Sequence, residues 1–290
     1  MNHQISIKNL ISGIILMISN FSFVSTYAQH NAKTSPLTES IVVRRDFKKY
    51  FNECHTDGSI AVYDNHQHQW IVSDTLDVRK QTLPASTFKV INMLIALETQ
   101  TIASETDIVK WPGKTDTIRY GYRPDIYHDM PVKEAFELSA GWVFVELAKK
   151  IGKKNYIKFL SKSRYGNLDL SQTDADFWNF GHFAISPLQQ VEFLRNFYMN
   201  RLPFSKKHID IVKKVMLTEQ NAEYTIHSKT GWTRDGGMNT GWWIGYVENA
   251  NGTYFFATRL LQDRKLNQAN FGNCRKEITK SIFRDLEIIK

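Results

Sequence analysis

Apolar positions along this chain change their period several times. Gly58–Tyr63 and Trp70–Ser73 are apolar and β-rich and flank the polar cluster Asp64-Asn65-His66-Gln67-His68-Gln69, which predicts two strands joined by a loop. Thr87–Thr99 is apolar nearly all round, through Phe88, Val90, Ile91, Met93, Leu94, Ile95 and Leu97, as a central buried helix would be. Amphipathic helical spacing follows at Trp142–Ile151, Tyr156–Ser163, Leu188–Met199 and His208–Leu217. The pattern then turns β-rich at Tyr224–Lys229, Gly241–Val247 and Thr253–Leu261, with Asn251-Gly252 as a hairpin signal between the last two. A final helix is predicted from about Lys276 to Ile289. Strands at both ends around a helical block predict an α+β fold, an antiparallel sheet flanked by helices beside an all-helical lobe. The two parts interleave in sequence, so residues 29–290 are read as one folded unit.

The N-terminus follows a different logic. Residues 10–18, Leu-Ile-Ser-Gly-Ile-Ile-Leu-Met-Ile, lie behind Lys8 and are followed by small and polar residues ending Thr26-Tyr27-Ala28. A basic start, a short apolar run and small residues at the cut describe a secretory leader, residues 1–28, removed after Ala28. The run is shorter than the roughly 20 residues needed to span a bilayer. The expectation is an exported, soluble, bacterial periplasmic product with no membrane attachment after cleavage.

Composition adds little to that picture. With 290 residues, 42% apolar and 13% aromatic, the chain has material for a core, and disorder or coiled coil is excluded as its main state. The net charge of +8 comes from scattered basic residues interrupted by acids, so it describes solvated faces and not a nucleic-acid stripe, while favouring anionic ligands. Two cysteines, Cys54 and Cys274, are too few for a disulfide framework, and whether they pair is left open. His66 and His68 have no further ligand nearby and read as loop residues, so no metal is expected.

Three short motifs carry candidate chemistry. Pro84-Ala85-Ser86-Thr87-Phe88-Lys89 opens the buried helix, which places the Ser86 hydroxyl one turn from the Lys89 amine. A serine needs a base to become a nucleophile, and a buried lysine of lowered pKa can be one. Amides at the helix start can stabilise an oxyanion. Taken alone, the motif is as readily an N-cap with a snorkelling lysine. Lys229-Thr230-Gly231-Trp232, on a predicted strand, supplies a fixed cation, a hydroxyl and a glycine that allows close approach. Ser139, in Leu138-Ser139-Ala140-Gly141-Trp142, is a second serine just before a helix and reads equally as an N-cap. Gly113-Lys114-Thr115 is no P-loop, since Ile108 stands where the first glycine belongs, and Glu137 excludes a nucleophile elbow at Ser139.

In this order Ser86-Thr87-Phe88-Lys89, Ser139, Tyr165-Gly166-Asn167, Phe177-Trp178 and Lys229-Thr230-Gly231 resemble the class D β-lactamases, the oxacillinase group of penicillin-recognising serine enzymes, over essentially all of residues 29–290. The segment Gly241–Glu248 and Arg275 fit the same resemblance. It implies the serine β-lactamase/transpeptidase-like fold and hydrolysis of the β-lactam amide through an acyl-enzyme on Ser86. It further implies Lys89 carboxylated by carbon dioxide as general base, with no other cofactor, and a Trp178 indole holding the carbamate. Ser139 and Lys229 would relay a proton to the leaving nitrogen. The amides of Ser86 and Trp232 would form the oxyanion hole, and Thr230, Gly231 and Arg275 would bind substrate. Tyr165-Gly166-Asn167 would wall the site, more structural than chemical.

One residue departs from the family, Gly141 standing where a valine usually covers the carbamate. Either a neighbour such as Trp142 fills that space or the carbamate is less firmly held. The implied partner is a β-lactam antibiotic, with no nucleic acid, and the chain would act as monomer or homodimer. A β-lactam sensor acylated without turnover and a D-Ala-D-Ala peptidase are the alternatives. Sensors of this kind carry membrane helices, and the Trp178 and Tyr165-Gly166-Asn167 elements argue against the peptidase.

Overall fold

The computed structural model describes residues 39–266 and 270–290, so the expected leader lies outside the described residues. The strands are β1 (Ser40–Val43), β2 (Asp57–Asp64), β3 (Gln69–Val72), β4 (Ile108–Val109), β5 (Met130–Pro131), β6 (Leu217–Gln220), β7 (Tyr224–Asp235), β8 (Met238–Asn249) and β9 (Gly252–Asp263). The helices are α1 (Lys48–Glu53), α2 (Lys89–Glu98), α3 (Thr117–Tyr120), α4 (Val132–Glu137), α5 (Gly141–Ile151), α6 (Lys153–Ser163), α7 (Pro187–Tyr198), α8 (Lys206–Val215) and α9 (Phe271–Asp285).

Seven strands form one sheet in the order β1-β3-β2-β9-β8-β7-β6, and β4 with β5 makes a small separate ribbon. The pairings are antiparallel except at one edge, where β1 runs parallel to β3. Successive side chains of a strand point to opposite faces, and here both faces are covered. Ala61, Tyr63, Trp242, Ile244, Tyr246 and Phe255 join the core of the helical lobe. Ile60, Val62, Trp243, Val247, Phe256 and Leu260 join a second core with residues of α1 and α9. That double burial is why these segments read as nearly continuous apolar runs.

The expected elements are present, with shifted ends. The buried helix is α2, buried at every residue from Lys89 to Leu97, and it is preceded by a 3₁₀ turn over Ala85–Phe88. The β2–β3 loop is a hairpin turn in which Asp64 Oδ1 accepts from the amides of His66 at 2.8 Å and Gln67 at 2.9 Å. The strand expected to end at Lys229 continues to Asp235, because β8 pairs with it throughout. The last helix begins at Phe271, ahead of the expected Lys276, since Phe271 and Cys274 are already buried in the second core.

The open question about the cysteines has an answer. Cys54, at the end of α1, and Cys274, in the first turns of α9, form a disulfide with Cα atoms 6.1 Å apart across 220 residues of sequence. Glu277 lies beside the pair, but bonded sulfurs are not metal ligands. Closing so long a loop restricts the unfolded chain, and such bonds contribute about 2–4 kcal/mol. Cys54→Ser/Cys274→Ser is therefore expected to lower Tm by about 10 °C, and dithiothreitol should do the same to the parent protein. An unchanged Tm in a calorimetric scan would show that the bond contributes nothing to stability.

Candidate active site

The loop that leads into α2 is pinned from several sides. Trp242 Nε1 of β8 donates to Leu83 O at 2.9 Å, and the Ala85 amide donates to Trp178 O at 3.0 Å. Ala85 is held at φ 53°, a left-handed conformation costly for a residue with a Cβ. Strain of this kind persists only where surrounding bonds over-determine it. Here it presents Ser86 at the floor of a cleft of about 420 Å³. Strand β7 crosses directly above: a Cβ at Gly231 would lie 2.9 Å from Pro84 O and 3.1 Å from the Thr87 amide nitrogen. Gly231 is thus required by the close approach of two backbones of this chain, where the sequence alone suggests the approach of a substrate backbone.

Lys89 Nζ donates to Ser86 Oγ at 2.7 Å, and the lysine is fully buried. Desolvation pulls its amine down to about 8, against a smaller opposing pull from the charge of Asp176. The Phe144 ring lies 5.2 Å from the nitrogen, and Phe88 stacks on Trp178 with ring centroids 4.9 Å apart. Trp178 is fully buried and its Nε1 has no hydrogen-bond partner. An orphaned indole N–H in a dry pocket is costly and rare.

Ser139 is not the N-cap that its position suggested. Ala140 holds that place on α5, without a side-chain bond. Ser139 instead terminates α4 in a left-handed conformation, φ 56°, with Ala140 N bonded to Ala135 O and Ser139 N to Phe136 O. This is the Schellman closure that normally selects glycine. A serine tolerated there points to a use for its hydroxyl, and the partner is Lys229, whose Nζ donates to Ser139 Oγ and, at 3.0 Å, to Thr230 O. Burial, reinforced by the charges of Lys89, Arg275 and Lys276, drives the Lys229 amine well below its usual range.

Arg275, on the first turns of α9, donates to Gly231 O at 2.6 Å and Gly272 O at 2.7 Å, which aims it into the cleft beside Thr230 and Trp232. Burial lowers it to about 10. Gly241 leaves it room, because a Cβ there would sit 3.2 Å from Arg275 Cδ.

The structure thus brings Ser86, Ser139, Thr230, Gly231, Trp232 and Arg275 to one cleft, with Lys89 and Lys229 bonded to its two serines. Tyr165-Gly166-Asn167 does not wall it. Tyr165 is buried and its hydroxyl donates to Gln190 Oε1 at 3.3 Å, while Gln190 Nε2 donates to Thr87 Oγ1 at 2.9 Å, so the segment braces the nucleophile's turn from behind. At Gly141 nothing lies within 4 Å of where a Cβ would be. Trp142 does not fill that space, since its indole is committed to Ile126 O at 2.7 Å and packs edge-on to Trp111.

Sequence reasoning missed one part of the site. Asp176 is buried, accepting from the Tyr120 hydroxyl at 2.5 Å and from Asn179 Nδ2 at 2.8 Å. Its only signal was an acid placed directly before the aromatic pair Phe177-Trp178.

Two hydroxyls, each bonded to a buried amine and sharing a cleft with the Arg275 guanidinium, are an arrangement able to perform serine acyl transfer on a substrate with a negative group. The comparisons with known proteins agree. The family model for the penicillin binding protein transpeptidase domain matches residues 55–285. The β-lactamase OXA-2 of Salmonella typhimurium is 34% identical over 253 residues, covering 87% of this chain and 88% of its own. The β-lactamase OXA-10 of Pseudomonas aeruginosa is 35% identical over 235 residues, covering 80% and 86%. A class D β-lactamase structure from Sebaldella termitidis superposes with a TM-score of 0.81 at 35% identity, covering 87% of this chain and all of that one. The chain belongs to the class D β-lactamase family, on the penicillin-binding transpeptidase-like fold.

Proposed function

We propose that this chain is an exported β-lactamase that opens the lactam amide of penicillins and oxacillin-type substrates through an acyl-enzyme on Ser86. The observation that carries the reading is the 2.7 Å bond between Ser86 Oγ and a fully buried, weakly basic Lys89. Ser86 is the nucleophile because its hydroxyl lies in the turn that opens α2, against the β7 backbone at Gly231, where amide donors stand beside it; Ser139 serves as proton relay to the leaving nitrogen, re-protonated through Lys229. The amides of Ser86 and Trp232 supply the oxyanion hole. Thr230 and the planar fork of Arg275 hold the substrate carboxylate.

We propose further that Lys89 is carboxylated. The residues fit that group: the amine is buried and lowered to about 8, the Trp178 Nε1–H is unpaired, and open space remains at Gly141. A carbamate supplies a general base for acylation and for the deacylating water. Trp178 would hold it by its indole N–H, and the aromatic wall of Phe88 and Phe144 would exclude bulk water.

Export is proposed on residues 1–28, and among the described residues no helix is long and apolar enough to cross a membrane. The test is turnover: purified residues 29–290 should hydrolyse a chromogenic cephalosporin and oxacillin many times per Ser86. A burst equal to the enzyme concentration that then stops would assign the chain to sensing instead.

A further inference from the structure

Asp176 is a buried carboxylate that the reaction as proposed does not use. It lies two residues before Trp178, and both of its oxygens are held, Oδ2 by the Tyr120 hydroxyl of α3 and Oδ1 by Asn179. The charged and titratable groups around it are Lys89 on α2, Arg119, with its partner Asp174, and Tyr120 on α3, and Tyr156 on α6, while Lys89 also faces the buried amine of Lys229 on β7. The rings of Phe177 and Trp178, which follow it, pack on Phe88, the residue before Lys89, with centroids 5.2 and 4.9 Å apart, and at this buried position its charge opposes the lowering of the Lys89 amine.

A carboxylate there favours the ammonium form of Lys89, which cannot bind carbon dioxide, and it repels a carbamate once formed. We infer that Asp176 governs carboxylation of Lys89, the modification completing as Asp176 takes up the proton that carbamate formation releases. The inference rests on the reading that Lys89 is carboxylated. In that step neutral Nζ forms an N–C bond to carbon dioxide, one C=O electron pair moves onto oxygen, and the N–H proton is taken up by the Asp176 carboxylate. The amine and Asp176 together carry a single negative charge before and after this step, and where Lys89 starts as ammonium its extra proton leaves to solvent first.

The acid–base behaviour of the two groups is consistent with this exchange. Burial pushes the Asp176 carboxyl up to about 6, against the pull of Tyr120 and Lys89, and holds Lys89 near about 8. Between those values the pair persists as ammonium and carboxylate, and the amine is blocked. Asp176 acts through Lys89 and is therefore a positioning residue.

The test follows the carbamate itself, by its ¹³C NMR signal in enzyme equilibrated with ¹³C-bicarbonate at known dissolved carbon dioxide. Asp176→Asn keeps the shape of the side chain and removes the charge. At pH 7 the variant should reach half-maximal carbamate at about tenfold less carbon dioxide than the parent, with its pH midpoint about one unit lower. Tyr120→Phe, which removes a bond favouring ionised Asp176, should move both quantities the same way by a smaller amount.

A role confined to structure would weaken carboxylation in both variants. An unchanged or greater carbon dioxide requirement in either one, with a normal signal in the parent, overturns the inference and leaves the carboxylation reading intact. Absence of the signal from the parent overturns both.

Discussion

Ser86→Ala is expected to lower β-lactam hydrolysis by about 10⁶-fold, the scale on which loss of a serine nucleophile acts. Two serines face the cleft and each is bonded to a buried lysine, so geometry alone allows two nucleophiles. They differ in what surrounds them. Ser86 sits in a turn that opens the central buried helix, under the β7 backbone that crosses at Gly231, whereas Ser139 ends the short helix α4. Ser86 is thus the hydroxyl with candidate oxyanion donors beside it. Intact-protein mass spectrometry after mixing with a slowly turned-over penicillin should show one adduct on the parent, none on Ser86→Ala, and one on Ser139→Ala. The adduct peptide should contain Ser86. An adduct surviving in Ser86→Ala would transfer the nucleophile's role to Ser139. Thermal stability should change by no more than about 1 kcal/mol, the worth of one hydrogen bond, so that loss of activity is not loss of fold.

What the sequence revealed of this site follows the range of the forces involved. Ser86 and Lys89 are one helical turn apart, which local periodicity was enough to show; for Lys229 through Trp232 it reached only Lys229, and the pairing with β8 carries the strand on through the rest. Their meeting in one cleft was not local, and it entered only through resemblance to a family. The N-cap alternative for Ser139 survived in the sequence because an N-cap and a left-handed C-terminal residue occupy adjacent positions between two helices, and only the backbone separates them. The Tyr120–Asp176 bond joins residues 56 apart, one of them on a four-residue helix with no buried side chain to give it a period. The edge strand β1 escaped for a similar reason. All four of its residues are exposed, so no alternation marks them, and its parallel pairing with β3 is set by where the chain arrives. The disulfide required knowing that α1 and α9 pack on the same face of the sheet.

Lys89→Met should separate function from stability in a way that a merely structural lysine would not. Activity is expected to fall by about 10²–10⁴-fold, the contribution of a positioned base, and added bicarbonate should restore none of it. Stability should move in the opposite direction. The unfolded chain holds this amine's proton up to about 10.5, and the folded protein only to about 8, because burial disfavours the charge. Below about pH 8 the amine is charged in both states and the full cost of burying it is present. As pH rises from about 8 to about 10.5 the folded state sheds its proton first and the cost disappears. In carbon-dioxide-free buffer, methionine of similar length should therefore stabilise the fold by up to about 3 kcal/mol below pH 8 and by little near pH 10.5. Part of that gain is offset by Asp176, which loses its countercharge and has to be protonated. Urea unfolding at three pH values would read the difference, with hydrolysis measured alongside. Equal losses of stability and activity at every pH would mean that Lys89 is held there for packing, and the case for it as the base, free or carboxylated, would fail with that result.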